Sequence, residues 1–396
     1  MNQKIKSTLI VLLLLICNLL FGQKYVADYN VAKESVLRKI PVEYINKART
    51  QLKIAYQHTS HGTHVSMGIF GLPGYKTGDD VLFAVTNNSP TTGKLEFHDY
   101  AMQNFAPSGV NGSDLSANET AFLQTTRNYL DAPANAGINV VMWSWCDITN
   151  HNIKTNYLPG MNQLIAEYGS GGTKIGTGSG KRQTPVTFVY MTGHAVDNAN
   201  VGTGKPRNQA DTIKRECNLK QRYCLDYYTI DTYDMNDKYW EDASDDGYSK
   251  TNNGNFLKSW QDTHQLGTDY YASRTAPYPG GQVQAGAHNT QYITANRKAY
   301  AMWWILARIA GWDGNSTSTG TKTLESDTNE IRVFPNPTNG ELKFSETLTN
   351  FKVYSIYGQL VIPETKSANT ISAKELSDGM YLIRTKNSTL KFLVKH

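Results

Sequence analysis

The sequence has little cysteine and no strong excess of charge of either sign. Its 396 residues include four cysteines, and 18% of the residues are charged, with 39 Lys and Arg against 34 Asp and Glu. So few cysteines exclude a scaffold built on disulfides. The net charge of +5 is spread thinly, because residues 1–22 carry +2, residues 324–396 carry +1, and the part between them carries +2. The sequence has no basic stripe, so we do not expect the protein to bind nucleic acid.

Aromatic residues and histidines, in contrast, are abundant. The chain contains 24 Tyr, 12 Phe and 7 Trp, which makes it too aromatic for a disordered protein, and it is long enough to bury a sizeable core. All seven Trp and eight of the nine His lie in the body of the chain, residues 23–312. We therefore expect the chemistry of the protein to reside in the body.

The N-terminus has the pattern of a secretory signal peptide. Lys4 and Lys6 precede an apolar run, residues 7–21, which is closed by Gly22. This run is short for a membrane span. We therefore predict that residues 1–22 are a signal peptide and that the protein is exported.

Three cysteines remain beyond the predicted signal peptide. In an oxidising compartment Cys217 and Cys224 could close a small loop, and the sequence leaves open whether they do. Cys146 lies on a hydrophobic segment, which predicts a buried and inert thiol.

The C-terminal part of the chain is predicted to be a separate module. Residues 313–330 are polar and are predicted to be a linker, and residues 331–396 alternate apolar and polar residues between Gly, Pro and Asn, which indicates an all-β fold. The module opens with Phe-Pro-Asn-Pro at residues 334–337 and contains Gly-Met-Tyr-Leu-Ile at residues 379–383. With these motifs it resembles the C-terminal sorting domain of the type IX secretion system. The resemblance implies that the type IX machinery is a partner and that the protein is secreted or reaches the cell surface.

The body alternates predicted strands with predicted helices. Short apolar runs predict buried strands, and helical spacing predicts helices between and after them. This alternation predicts a three-layer α/β fold with a mainly parallel sheet, in which functional residues follow the carboxyl ends of the strands. The predicted strands are 53–57, 138–145, 186–191 and 225–231, and the predicted helices are 118–130, 158–168 and 294–310.

Polar motifs follow each of these predicted strands, and three features of the body resemble the SGNH hydrolases. A Ser-bearing turn, Thr59-Ser60-His61, ends the first strand, Gly193-His194 follows the third, and His288 lies shortly before the last helix. The resemblance implies an SGNH-like or flavodoxin-like three-layer fold with Ser60 as the nucleophile and His288 as its general base. The motif departs from the family at its Gly-Asp-Ser opening, which this sequence lacks.

Most of the candidate site residues follow these strand ends, and Arg274 and His288 come from the segment before the last helix. The predicted catalytic residues are Ser60, His61, His194 and His288, and the predicted substrate-binding residues are His58, Trp145, Asp147, Asn198 and Arg274.

No cofactor or metal is predicted. His58, His61 and His64 have a spacing that would align three imidazoles on a helix, but Gly62 and the preceding strand end favour one functional histidine with two supporting ones. The acidic loop 231–246 offers oxygen ligands for calcium without the EF-hand spacing, so we interpret it as a solvated loop.

The export signals and the aromatic, histidine-rich body suggest an extracellular acidic polysaccharide as the partner and substrate. We predict a lyase that cleaves a uronate-containing polysaccharide by β-elimination, because histidines and tyrosines crowd the strand ends and the SGNH signature is incomplete. An SGNH-type carbohydrate esterase using Ser60 and His288 is the alternative. A non-catalytic glycan-binding protein is the second alternative, which exposed Trp240 and Trp260 would favour.

Overall fold

The computed structural model describes residues 25–273, 288, 291–314, 331, 333–355, 359–385 and 389–396. The chain divides into two units, residues 1–320 and 321–396. The predicted signal peptide, 1–22, and all but two residues of the predicted linker, 313–330, lie outside the described residues. Within the described parts of the chain, no helix is long and apolar enough to cross a membrane.

A six-stranded parallel sheet lies at the centre of the first unit. This sheet confirms the predicted α/β class. The strands are β1 (Val26–Ala27), β2 (Lys53–Gln57), β3 (Glu96–Asp99), β4 (Val140–Trp143), β5 (Thr187–Met191) and β6 (Cys224–Leu225). They lie in the order β1–β6–β5–β4–β2–β3, and each neighbouring pair is parallel.

Helices cover both faces of this sheet. Side chains along each strand alternate between two apolar clusters, so that Ile54 and Tyr56 pack on one face and Ala55 on the other. The helices are α1 (Glu34–Leu37), α2 (Val42–Gln51), α3 (Thr63–Gly71), α4 (Asp79–Leu82), α5 (Ala121–Asp131), α6 (Leu158–Tyr168), α7 (Pro206–Lys220), α8 (Tyr227–Thr232), α9 (Phe256–Asp262) and α10 (Tyr292–Ile309). Helices α2, α3 and α10 contribute to the first cluster, and α5, α6 and α7 to the second.

The fourth predicted strand, 225–231, is wrong for most of its length. The strand ends at Leu225, and helix α8 begins at Tyr227. Asp226 starts this helix, because its carboxylate accepts a hydrogen bond from the backbone N–H of Thr229. The apolar run is therefore a buried helical turn, which periodicity does not distinguish from a buried strand.

The second unit is a five-stranded antiparallel sheet. Its strands are β9 (Val333–Phe334), β10 (Glu341–Ser355), β11 (Leu360–Ser372), β12 (Gly379–Arg384) and β13 (Thr389–Val394), and β10 pairs with β9, β11 and β12. Phe344, Phe351 and Val353 of β10 are buried in its core. This sheet confirms the predicted all-β C-terminal module. A separate two-stranded hairpin in the first unit joins β7 (Tyr248–Ser249) to β8 (Gly254–Asn255).

Candidate functional site

The candidate site lies at the carboxyl edge of the parallel sheet. The chain order of the strands reverses between β2 and β4, because β3 lies on one side of β2 and β4, β5 and β6 lie on the other. In open α/β sheets, the loops that leave the strands on either side of such a reversal diverge and form a crevice. The loops that follow β2 and β4 therefore line this crevice.

A tight turn after β2 carries the central residue, His61. The turn Ser60–Gly62 is a short 3₁₀ helix, in which Ser60 has a φ of 40°. Gly62 packs so closely against neighbouring groups that a Cβ atom there would lie 2.5 Å from Cβ of His58 and 2.7 Å from Oγ of Ser144. Glycine at this position therefore lets the turn pack directly against the end of β4.

The pairing of β2 with β4 brings Cys146 to His61. Gln57 pairs with Trp143, and the ladder continues through a hydrogen bond from the N–H of Ser144 to the carbonyl of Gln57. Two residues further on, Sγ of Cys146 lies 3.0 Å from Nδ1 of His61. Cys146 is partly exposed and, among the residues that the structure describes, forms no disulfide, so the prediction that this thiol is buried is wrong.

Asp245 approaches the other side of the same imidazole. Its Oδ2 atom lies 2.7 Å from Nε2 of His61. The loop that carries Asp245 is held in place by a β-bridge between Val196 and Ser244 and by Asn200, whose side-chain amide donates to the carbonyls of residues 241 and 243. A thiol, an imidazole and a carboxylate thus lie in sequence across the site.

The electrostatic environment favours the charged forms of His61 and Asp245. Burial by itself lowers the pKa of His61, but the adjacent Asp245 and Cys146 outweigh it and raise the pKa to about 9. Burial raises the pKa of Asp245, and His61 outweighs this effect, so that its pKa lies below the usual range. The two groups stabilise each other as an ion pair with little exposure to solvent.

Two further histidines stack on His61. The ring of His194 lies 3.7 Å from that of His61, and the ring of His288 lies 4.7 Å from it. Nδ1 of His194 donates to the carbonyl oxygen of Ala195 at 2.6 Å, which leaves Nε2 as the acceptor nitrogen of a neutral ring. Burial, together with the nearby His61, lowers the pKa of His194 to about 4.

A buried polar network supports the backbone of His61. The hydroxyl of Tyr227 donates to the carbonyl of His61 at 2.8 Å. Because this hydroxyl has one proton, Nδ1 of His64 must be the donor in its 2.6 Å contact with the Tyr227 oxygen. Nζ of Lys298 lies 4.0 Å from the centre of the Tyr227 ring.

A buried ion pair extends this network to His194. Lys298 and Asp231 are both fully buried, and Nζ of Lys298 donates to Oδ1 of Asp231 at 2.6 Å. Burial raises the pKa of Asp231 to about 6 although Lys298 opposes the shift. The second oxygen of Asp231 accepts the N–H of Ala195 at 3.2 Å. The backbone segments that carry His61 and His194 are therefore held by one buried set of polar contacts.

The four predicted catalytic residues come together at this edge of the sheet. His61 is at the centre, with His194 and His288 stacked on it, and Ser60 precedes it in the same turn. Among the described residues, the Ser60 hydroxyl has no hydrogen bond to a histidine.

The predicted substrate-binding residues are more scattered. His58 is fully buried, with Nε2 at 2.7 Å from Asp99, and Trp145 is fully buried against Tyr157. Both side chains therefore support the core beneath the site. Asp147 is exposed and accepts the N–H of Thr149. Asn198 lines a separate cavity of about 300 Å³ with Trp240. Arg274 lies outside the described residues.

Cys146 and Asp245 are the residues that sequence reasoning missed. Cys146 follows a predicted strand at its carboxyl end, which is where functional residues were expected, so its position was a usable signal. Asp245 belongs to the loop interpreted as solvated, and it pairs with a histidine 184 positions earlier in the chain. Such a contact leaves no pattern in a single sequence.

The acidic loop 231–246 does not gather its carboxylates at one point. Asp234 accepts hydrogen bonds from its own loop and from Trp240, Asp242 binds Ser249 and Thr251, and Asp231 pairs with Lys298. A different set of donors lies at the site: His61, His194 and Asp245 each bring one donor atom to within 4.8 Å of the others. This set could hold a metal ion.

Comparison with known proteins identifies the C-terminal unit. Residues 332–396 match the family model of the secretion system C-terminal sorting domain. No curated protein and no solved structure matches the chain. The C-terminal unit is a type IX secretion sorting domain, and the protein is therefore secreted and attached to the cell surface.

Proposed function

We propose that the α/β unit is a secreted hydrolase that cleaves an ester through a covalent intermediate on Cys146. One observation carries the proposal: Sγ of Cys146 lies 3.0 Å from Nδ1 of His61, and Nε2 of the same ring lies 2.7 Å from Asp245. A nucleophile next to a base that is itself oriented by a third group is the arrangement that activates cysteine and serine nucleophiles.

Each group has a defined role in the proposed reaction. The thiol proton of Cys146 passes to Nδ1 of His61, which gives a thiolate beside an imidazolium whose charge Asp245 stabilises through Nε2. The thiolate attacks the acyl carbon, the C–O bond to the alcohol breaks, His61 gives its Nδ1 proton to the departing alcohol, and the acyl group remains on sulfur as a thioester. A water molecule then gives a proton to His61 and attacks the thioester; the C–S bond breaks, the acid is released, and the thiolate again lies beside the protonated His61.

The sheet topology supports an SGNH-like or flavodoxin-like fold for this unit. Counted from β2, the strands lie in the doubly wound order 2-1-3-4-5. Ser60 and His288 lie at the same edge of the sheet as Cys146, His61 and Asp245. We therefore retain ester hydrolysis of a carbohydrate as the proposed reaction, with Cys146 in place of Ser60 as the nucleophile. An esterified extracellular polysaccharide is the proposed substrate.

The stacked histidines make a polysaccharide lyase the second candidate. β-Elimination on a uronate requires a base and a partner for the substrate carboxylate. His194 and His61 offer an acceptor nitrogen and a second imidazole in parallel rings 3.7 Å apart. The thiol has no role in this reaction, which separates the two candidates experimentally.

The glycan-binding alternative receives less support. Trp240 is only 8% exposed, and Trp260 stacks on His264 at 3.8 Å. Neither side chain is the exposed tryptophan that this alternative requires.

A substrate panel tests the proposed reaction. We expect the mature full-length protein to release acid from acylated polysaccharides without forming products that absorb in the ultraviolet. Iodoacetamide should abolish this activity by labelling Cys146, while Cys217 and Cys224 stay unlabelled in the native protein because both are buried. Ultraviolet-absorbing products from uronate polysaccharides, formed by the fully alkylated protein, would instead establish the lyase.

A further inference from the structure

We propose that the cluster of His61, His194 and Asp245 is a binding site for one Zn²⁺ ion, and that bound zinc prevents His61 from acting as the base for Cys146. The donor atoms alone support zinc binding, whereas inhibition of ester hydrolysis by zinc rests on the proposed function. Zinc would thus act on this site as a reversible inhibitor.

The three donors match a three-ligand zinc site. Two imidazole nitrogens and one carboxylate oxygen lie within 4.8 Å of one another. Tetrahedral zinc, with bonds of about 2.1 Å, places its ligand atoms about 3.4 Å apart. The spacing of the donor atoms is therefore close to that of a zinc site, and the stacked rings of His61 and His194 have to tilt so that their lone pairs converge on the ion. Three protein ligands leave the fourth position open for water.

His194 is already oriented as a metal ligand. Its Nδ1 donates to the carbonyl of Ala195 at 2.6 Å, so Nε2 carries the lone pair. Histidines that bind metals almost always donate their second nitrogen to a carbonyl or carboxylate in this way. The N–H of Ala195 donates in turn to Asp231, whose other carboxylate oxygen accepts a hydrogen bond from the buried Lys298. The position of His194 is therefore stabilised by contacts that reach the buried core.

The two imidazole donors favour zinc over the hard cations. Imidazole nitrogen suits zinc, whereas magnesium and calcium prefer all-oxygen sites. The same chemistry distinguishes this cluster from the acidic loop, whose carboxylates make hydrogen bonds to their own surroundings.

The geometry also gives the reason for inhibition. Nε2 of His61 faces Asp245, so a metal shared with Asp245 would bind that nitrogen. A neutral imidazole that binds a metal through Nε2 carries its proton on Nδ1. Nδ1 then has no lone pair with which to accept the thiol proton of Cys146.

Equilibrium dialysis of the metal-stripped, mature full-length protein against Zn²⁺ tests the binding claim. We expect one ion per chain, with an affinity reduced at least about 10-fold in both H194A and D245N. The matched control is H264A, which removes an exposed histidine stacked on Trp260 and should bind zinc as the wild type does. Circular dichroism establishes that each variant is folded.

Thermal unfolding tests zinc binding if H194A and D245N do not fold. Zinc should raise the unfolding temperature of the wild-type protein in a concentration-dependent way, since a ligand that binds the native state stabilises it, and the conservative variant H194N should lose this rise. Binding that is absent, or that persists unchanged in H194A and D245N, overturns the inference. If the protein hydrolyses esters through Cys146 but binds no zinc, the zinc site is wrong and the proposed function stands. If the protein binds zinc but its turnover does not depend on Cys146, both the inhibition and the proposed function are wrong.

Discussion

Replacing Cys146 with alanine is expected to lower kcat/KM for ester hydrolysis by at least about 10³-fold, because the covalent route loses its nucleophile. The side chain is small and partly exposed, so the substitution should leave the fold intact. Initial rates with a p-nitrophenyl ester and the mature full-length protein measure the effect.

Ser60→Ala is the matched control for this variant. Ser60 lies in the same turn as His61, and it is the nucleophile that the SGNH resemblance implies. The thiol mechanism predicts that Ser60→Ala retains most of the wild-type rate. Loss of activity in Ser60→Ala, with activity retained in Cys146→Ala, would assign the reaction to the serine.

Replacing Lys298 with methionine is expected to reduce the free energy of unfolding by about 3–5 kcal/mol. The substitution leaves the carboxylate of Asp231 buried without its counter-ion, and breaking a buried pair from one side has this large cost. Urea denaturation, followed by the tryptophan fluorescence of the α/β unit, measures the loss, because all seven Trp lie in that unit.

An exposed ion pair provides the control for that experiment. Lys258 and Asp262 pair on helix α9 with more than half of each side chain exposed, so Lys258→Met should cost no more than about 1 kcal/mol. Replacing both Lys298 and Asp231 with apolar residues of similar volume should recover part of the lost stability. An equal cost for Lys298→Met and Lys258→Met would show that the buried pair does not support the fold.

Elements with a strong local pattern were predictable from the sequence. The strand Lys53–Gln57 and the helix Leu158–Tyr168 have the predicted bounds, because burial on both faces of a sheet and helical spacing leave a clear apolar pattern. The sorting module was identified from its motifs. Strands β1 and β6 contain two residues each, which is too short for any periodicity to reveal.

The site was predictable in location and only partly in composition. Parallel strands place their carboxyl ends along one edge, so His61 and His194 could be expected close together. The contact between Cys146 and His61 depends on the register of β2 against β4, and the contact of Asp245 depends on a long loop folding back over the sheet. These relations arise only in the tertiary structure. The position of Cys146 at a strand end is visible in the sequence, whereas its partial exposure and its contact with His61 are not.

Mass spectrometry of the protein quenched during turnover of a slow ester tests the central claim most directly. The proposed mechanism predicts one acyl group per chain on the peptide that contains Cys146, bound as a thioester that hydroxylamine removes. Asp245→Asn should form this adduct more slowly, since the orientation of His61 is lost. An acyl group on Ser60, or turnover with no covalent adduct on Cys146, would contradict the account.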